Sequence, residues 1–169
     1  MDTGISHFRK KEVFVQNENI HWERSVLAGF LGTLVMTILF YIAPVMGLPR
    51  VDVAAMIGSW FQHGIAPATV SGLWWAGMIL HFVAGSFIFS LLYAYLLMPR
   101  VHGNAWAKGG SWGLVLWLIG ELTIMPAEGR GLFAFKAAHH WALLSISVLA
   151  FLLYGALLGG FAESRARSH

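Results

Sequence analysis

The chain has 169 residues, of which 57% are hydrophobic and only 11% charged, with a mean hydropathy of +0.66. A soluble domain carries about 25% charged residues, so this composition excludes a soluble enzyme, a nucleic-acid binder and a disordered chain. The net charge of +3 sits in short flanking segments, the pattern of membrane orientation rather than of a DNA footprint. The absence of cysteine excludes disulfides, cysteine-ligated zinc, iron–sulfur sites and covalent haem attachment.

The expected fold is all-α: an integral membrane bundle of four transmembrane helices. A bilayer core needs about 20 apolar residues per helix. Residues 1–24 form a polar segment with no cleavable signal peptide, because the first apolar run starts late and lacks a small-x-small cleavage site. The transmembrane domain covers residues 25–162, with spans expected at 26–48, 73–98, 109–127 and 138–161. His81 alone interrupts the second span, and Glu121 is the single charge in the third. Residues 163–169 form a short tail.

The flanks set the orientation. Arg9, Lys10, Lys11, Arg24, Arg100, Lys108, Arg165 and Arg167 lie on one side, and Arg50, Arg130 and Lys136 on the other. The positive-inside rule then puts both termini in the cytoplasm. Trp22, Trp106 and Trp112 fall near the inner interface, and Trp60, Trp74, Trp75 and Trp141 near the outer one, as an aromatic belt requires.

The two halves resemble each other, as two tandem helical hairpins would. Leu91-Leu92-Tyr93-Ala94-Tyr95-Leu96-Leu97 matches Leu152-Leu153-Tyr154-Gly155-Ala156-Leu157-Leu158 at five of seven positions. Pro44-x-x-Gly47 and Pro126-x-x-Gly129 end the first and third spans. The first outer loop is longer than its counterpart by 21 residues. Within it Val53, Met56, Ile57, Trp60 and Phe61 share one helical face, and Asp52 suits an N-cap, so a short amphipathic helix is expected in the outer interface. Gly29, Thr33, Thr37 and Tyr41, then Gly77, His81 and Gly85, then Gly109 and Gly113, and finally Gly155 and Gly159 make stripes of mostly small residues expected to be packing surfaces.

Ionisable groups at membrane depth are costly and mark candidate sites. At about 1.5 Å of rise per residue, Glu121 lies roughly 8 Å and His81 roughly 12 Å below the outer helix ends. His139 and His140 lie at the outer start of the fourth span, with Met46, Met78 and Met125 in the same half. Four readings stay open. His81 and Glu121 hold helix register through hydrogen bonds. Alternatively His81 with His139 or His140 ligates haem b, the glycines flanking His81 leaving room for the ring. A third reading is a metal site of unknown identity built from imidazole, thioether and carboxylate. The fourth is a quinone or proton site at His81 and Glu121. Ser145 and Ser147 are expected to bond backbone carbonyls, and Glu128 and Arg130 to be solvated. No catalytic residue is assigned.

The stretches Gly32-Thr33-Leu34-Val35-Met36-Thr37, Ala43-Pro44-Val45-Met46-Gly47-Leu48-Pro49 and Asp52-Val53-Ala54-Ala55-Met56-Ile57-Gly58-Ser59 resemble an uncharacterised family of small bacterial four-helix inner-membrane proteins. The resemblance covers residues 26–160. It implies a four-helix membrane fold and carries over no activity and no catalytic residue.

Function is expected to be that of a non-catalytic small subunit, packing among lipids and other membrane-protein subunits in a larger complex, such as one of electron transport. The alternatives are a haem b, metal or quinone-binding protein using His81, His139, His140 and Glu121, or a small oligomeric transporter or channel. The inner half of the bundle shows no ionisable group in sequence, which disfavours a continuous polar path.

Overall fold

The computed structural model describes residues 21–64 and 66–163. The polar segment up to residue 20, with Arg9, Lys10 and Lys11, and the tail with Arg165 and Arg167 lie outside the described residues. Those described form helices and loops, with no strand. Four of the helices are long and apolar enough to cross a membrane.

Helix α1 spans Trp22–Ile42 and runs into a 3-10 turn at Ala43–Met46, where Pro44 sits in the first turn and Gly47 stops the helix at φ +76. Proline suits a helix start and glycine a left-handed stop, so the Pro-x-x-Gly reads directly as a helix exit. The short α2, Val53–Ser59, starts where the Asp52 carboxylate accepts the Ala55 N–H, as its N-cap position requires. It ends in a 3-10 turn at Trp60–Gln62. Helix α3 spans Gly72–Leu97, capped by Ser71, and is π-helical at Ala84–Phe89 and Tyr93–Leu97. Helix α4 is Ala105–Ala127, capped by Asn104. Helix α5 is His140–Glu163.

The helices pack side by side in the order α3, α1, α5, α4, and α2 lies on α3. The small residues decide where backbones touch. A Cβ added at Gly109 or Gly113 of α4 would run into the α5 backbone at Gly155 or Phe151. One added at Gly85 would strike Thr33 of α1, and one at Gly77 the Ala54 carbonyl of α2. The stripes are packing surfaces, as expected. The outward faces are apolar, with Leu27, Ile38, Ile79, Ile88, Ile119 and Leu149 among the exposed side chains.

Two ends of the bundle differ. At the end where α5 finishes, Glu163 joins three helices. Its carboxylate pairs with Lys108 of α4 at 2.6 Å and accepts the Tyr93 hydroxyl of α3 at 2.6 Å. Lys108 is buried and Glu163 largely so, which corrects the expectation that this half lacks ionisable groups: Lys108 turns inward from a helix start that in sequence reads as a flank. At the other end α3 and α4 separate, because their contact is made chiefly through Tyr93–Leu97.

Candidate functional site

The separation of α3 from α4 leaves a cleft of about 390 Å³, within the range of small-molecule sites. Helix α1 contributes Thr33, Met36 and Phe40 to its walls, and α5 contributes Ser147, Phe151 and Tyr154. Val53, Met56, Ile57 and Trp60 of the α2 segment roof it. The π-helical stretch of α3 supplies Ala84, Gly85, Ile88 and Phe89. Wide π turns shift carbonyls from their usual partners, and here the Gly85 carbonyl accepts the Tyr154 hydroxyl at 2.7 Å.

His81 and Glu121 both line this cleft, from α3 and α4 respectively. They are not hydrogen-bonded to each other. His81 Nε2 lies 3.0 Å from the Thr37 hydroxyl. That hydroxyl donates its one proton to the Thr33 carbonyl at 2.7 Å, so it accepts from Nε2–H, and Nδ1 is left as the acceptor nitrogen.

Glu121 is 3% exposed. Its Oε1 lies 3.0 Å from Ser147 Oγ, which accepts the Trp117 indole N–H at 2.9 Å and lies 3.1 Å from the Leu144 carbonyl. Its Oε2 is buried without a hydrogen-bond partner among the described residues. Ser147 owns one proton and faces two acceptors. A neutral Glu121 satisfies the group: the acid donates to Ser147, and Ser147 donates to Leu144. Ser145 bonds the Trp141 carbonyl and Ser147 the Leu144 carbonyl, as expected; Ser147 also reaches across to Glu121, which its own helix gives no sign of.

The remaining candidates lie elsewhere. His139 is exposed in a left-handed turn at φ +58, and His140 packs against the Phe135 and Trp141 rings. Neither lines the cleft with His81. The glycines beside His81 offer no slot for a flat ring, since α2 fills the space at Gly77 and Thr33 the space at Gly85. Haem therefore does not fit between His81 and His139 or His140. Met125 lines the cleft together with Met36 and Met56, while Met46 is exposed and Met78 lines an outward groove. Among the described residues no group of three or more histidine or carboxylate side chains is placed to hold a metal ion.

Two carboxylates that sequence reasoning valued less hold the roof. Asp52 Oδ1 accepts the Tyr41 hydroxyl at 2.8 Å and the Trp74 indole N–H at 2.9 Å, and Oδ2 pairs with Arg50 at 3.0 Å. Partial burial alone would raise the Asp52 carboxyl, but the Ala55 N–H, Tyr41, Trp74 and Arg50 outweigh it and hold it below the usual carboxylate range. Glu128, expected to be solvated, accepts the Ser59 hydroxyl and the Trp60 indole N–H, each at 3.2 Å. So α2 is tied to α1 and α3 at one end and to the end of α4 at the other.

The chain belongs to a family of unknown function (DUF6789), whose model matches residues 21–168. No curated protein and no solved structure matches it.

Proposed function

We propose that this family member is a non-enzymatic membrane protein that binds a small lipophilic molecule, taken from the bilayer into the cleft between α3 and α4. The observation that carries the reading is Glu121 Oε2: a buried carboxyl oxygen without a partner, on the wall of an otherwise apolar cleft. Such a group is costly to keep in a membrane unless it serves a ligand. The reading develops the quinone or polar-site alternative and assigns recognition to Glu121 and His81. The exposed Leu80, Val83 and Ile88 edge the cleft on the face that lipid tails would meet, so entry is sideways rather than from water. The distribution of basic flanks supports an orientation with the α2 end outside the cytoplasm, in what the family resemblance makes a bacterial inner membrane.

Gly120 provides the test. It is buried on the cleft wall, and a Cβ added there meets nothing within 4 Å. Gly120→Leu should therefore fill the cleft without disturbing the fold. A small neutral aryl diazirine should photolabel wild-type protein within α4 beside Gly120, and Gly120→Leu should abolish that labelling. Equal labelling of the two proteins would overturn the reading.

A second reading, packing within a larger membrane complex, is supported by an outward apolar groove of about 680 Å³ between α1 and α3, lined by Phe30, Trp75, Ile79 and Phe82. A partner helix seated there would be cross-linked from position 79 in native membranes. Only lipid adducts at that position would count against it.

A further inference from the structure

We propose that the molecule bound in the cleft is a lipophilic organic cation, and that it enters in exchange for the proton of Glu121. This rests on the cleft being a ligand site and names the ligand's chemistry.

The charge of the walls comes first. Among the described residues Glu121 is the one carboxyl lining the cleft, and no lysine or arginine lines it. Arg50 pairs with Asp52, and Lys108 and Arg100 are held at the opposite end of the bundle, by Glu163 and by the Tyr95 and Leu96 carbonyls. An anionic head group would meet a carboxyl and no counter-charge, so anions are disfavoured. The walls are aromatic as well: Phe40, Trp60, Phe89, Trp117 and Phe151 line the cleft, and ring faces attract cations, most strongly where water is excluded.

The hydrogen bonds around Glu121 supply the exchange. A protonated Glu121 can complete the Trp117–Ser147–Leu144 chain by donating from Oε1 to Ser147, which then donates to the Leu144 carbonyl. Ionising Glu121 without a partner would bury a lone charge, which costs several kcal/mol. A cation beside Oε2 removes that penalty. The balance is one cation in and one proton out: the O–H bond breaks, its electron pair stays on the carboxylate, and the proton leaves to water. Charge within the cleft is unchanged. Ser147 can then turn its proton to Oε1, so both carboxylate oxygens gain a partner.

Other titratable groups facing the cleft are His81 from α3 and Tyr154 from α5; the α1 and α2 residues lining it carry none. Tyr154 donates to the Gly85 carbonyl, and His81 uses Nε2–H on Thr37. Neither stands in the Trp117–Ser147 chain, so the exchanged proton is assigned to Glu121.

The test uses the full chain in lipid nanodiscs, with tetraphenylphosphonium as the cationic probe and a short-chain benzoquinone as the neutral one. Calorimetry in buffers of different ionisation enthalpy counts protons. The expected result is one proton released per tetraphenylphosphonium bound, with Kd falling tenfold for each pH unit raised while Glu121 holds its proton. Glu121→Gln, with wild-type helix content, should lose phosphonium binding and with it the proton release. Gly120→Leu should block binding. PH-independent binding, or binding kept by Glu121→Gln, would overturn the exchange. Quinone binding without phosphonium binding would overturn the cation assignment and leave the cleft as a ligand site. No binding of either probe, with no diazirine labelling sensitive to Gly120→Leu, would remove both readings.

Discussion

Lys108→Met isolates the buried clamp that holds α3, α4 and α5 together. Lys108 Nζ lies 2.6 Å from Glu163 Oε2, and the two side chains are 9% and 11% exposed. In open water a pair of this kind contributes about 0–1 kcal/mol. Removing one partner of a buried pair instead costs about 3–5 kcal/mol, because the other charge is left without compensation. The exposures place this pair in the second regime. Methionine keeps the stem of the side chain and removes only the charge, leaving Glu163 with the Tyr93 hydroxyl. Lys108→Met should therefore lose about 3–5 kcal/mol in equilibrium unfolding in mixed micelles, followed by helical circular dichroism. Lys108→Met with Glu163→Gln should recover most of that loss, since removing both charges removes the unpaired one. A single variant within about 1 kcal/mol of wild type, or a double variant no better than the single, would refute the clamp as a buried ion pair.

The same helix carries glycines whose substitution should have opposite signs. Gly109→Ala drives a Cβ into the Gly155 carbonyl and should destabilise by about 1–3 kcal/mol through overpacking. Gly120→Ala enters open space and should stabilise by about 1 kcal/mol through helix propensity; the same micelle unfolding assay reads both. Asp52→Ala should lose at least the ~1 kcal/mol of an N-cap and free the Trp74 indole, seen as a shift in tryptophan emission. Because the folded Asp52 carboxyl lies below its ordinary value of 3.8, its contribution is complete above that pH. It is lost as pH falls through the folded value, and Asp52→Ala should show no such acid step. An emission transition on acidification that Asp52→Ala retains would exclude Asp52 as its source.

The four apolar helices and the cap of α2 at Asp52 were legible in the sequence because each is a local property: a run of apolar residues, a proline, a glycine, a carboxylate before a helical face. The packing role of Gly77, Gly85, Gly109 and Gly113 was legible for the same reason, as spacing along one helix. His81 and Glu121 stood out because ionisable groups are rare in such runs, and both do line one cleft. What they touch was not legible. Ser147 meets Glu121 across 26 residues of chain, Asp52 meets Trp74 across 22, and Glu128 meets Ser59 across 69. No periodicity within one helix encodes such partners.

The repeated heptamers carry this contrast furthest. Tyr93 and Tyr154 hold the same position in the two matching segments, and both are buried. Yet Tyr93 donates to Glu163 at the end where the helices close, and Tyr154 to the Gly85 carbonyl on the wall of the cleft. By itself the sequence determined helix number, the low charge of the spans and which residues are costly to bury, because these follow from composition and short-range spacing. Tertiary structure alone decided that α3 and α4 part at one end and are clamped at the other. It also decided that His139 and His140 stay away from His81 and that a carboxyl oxygen is left unpaired on the wall. These depend on how backbones meet at the glycines, and small residues permit close approach without specifying the partner.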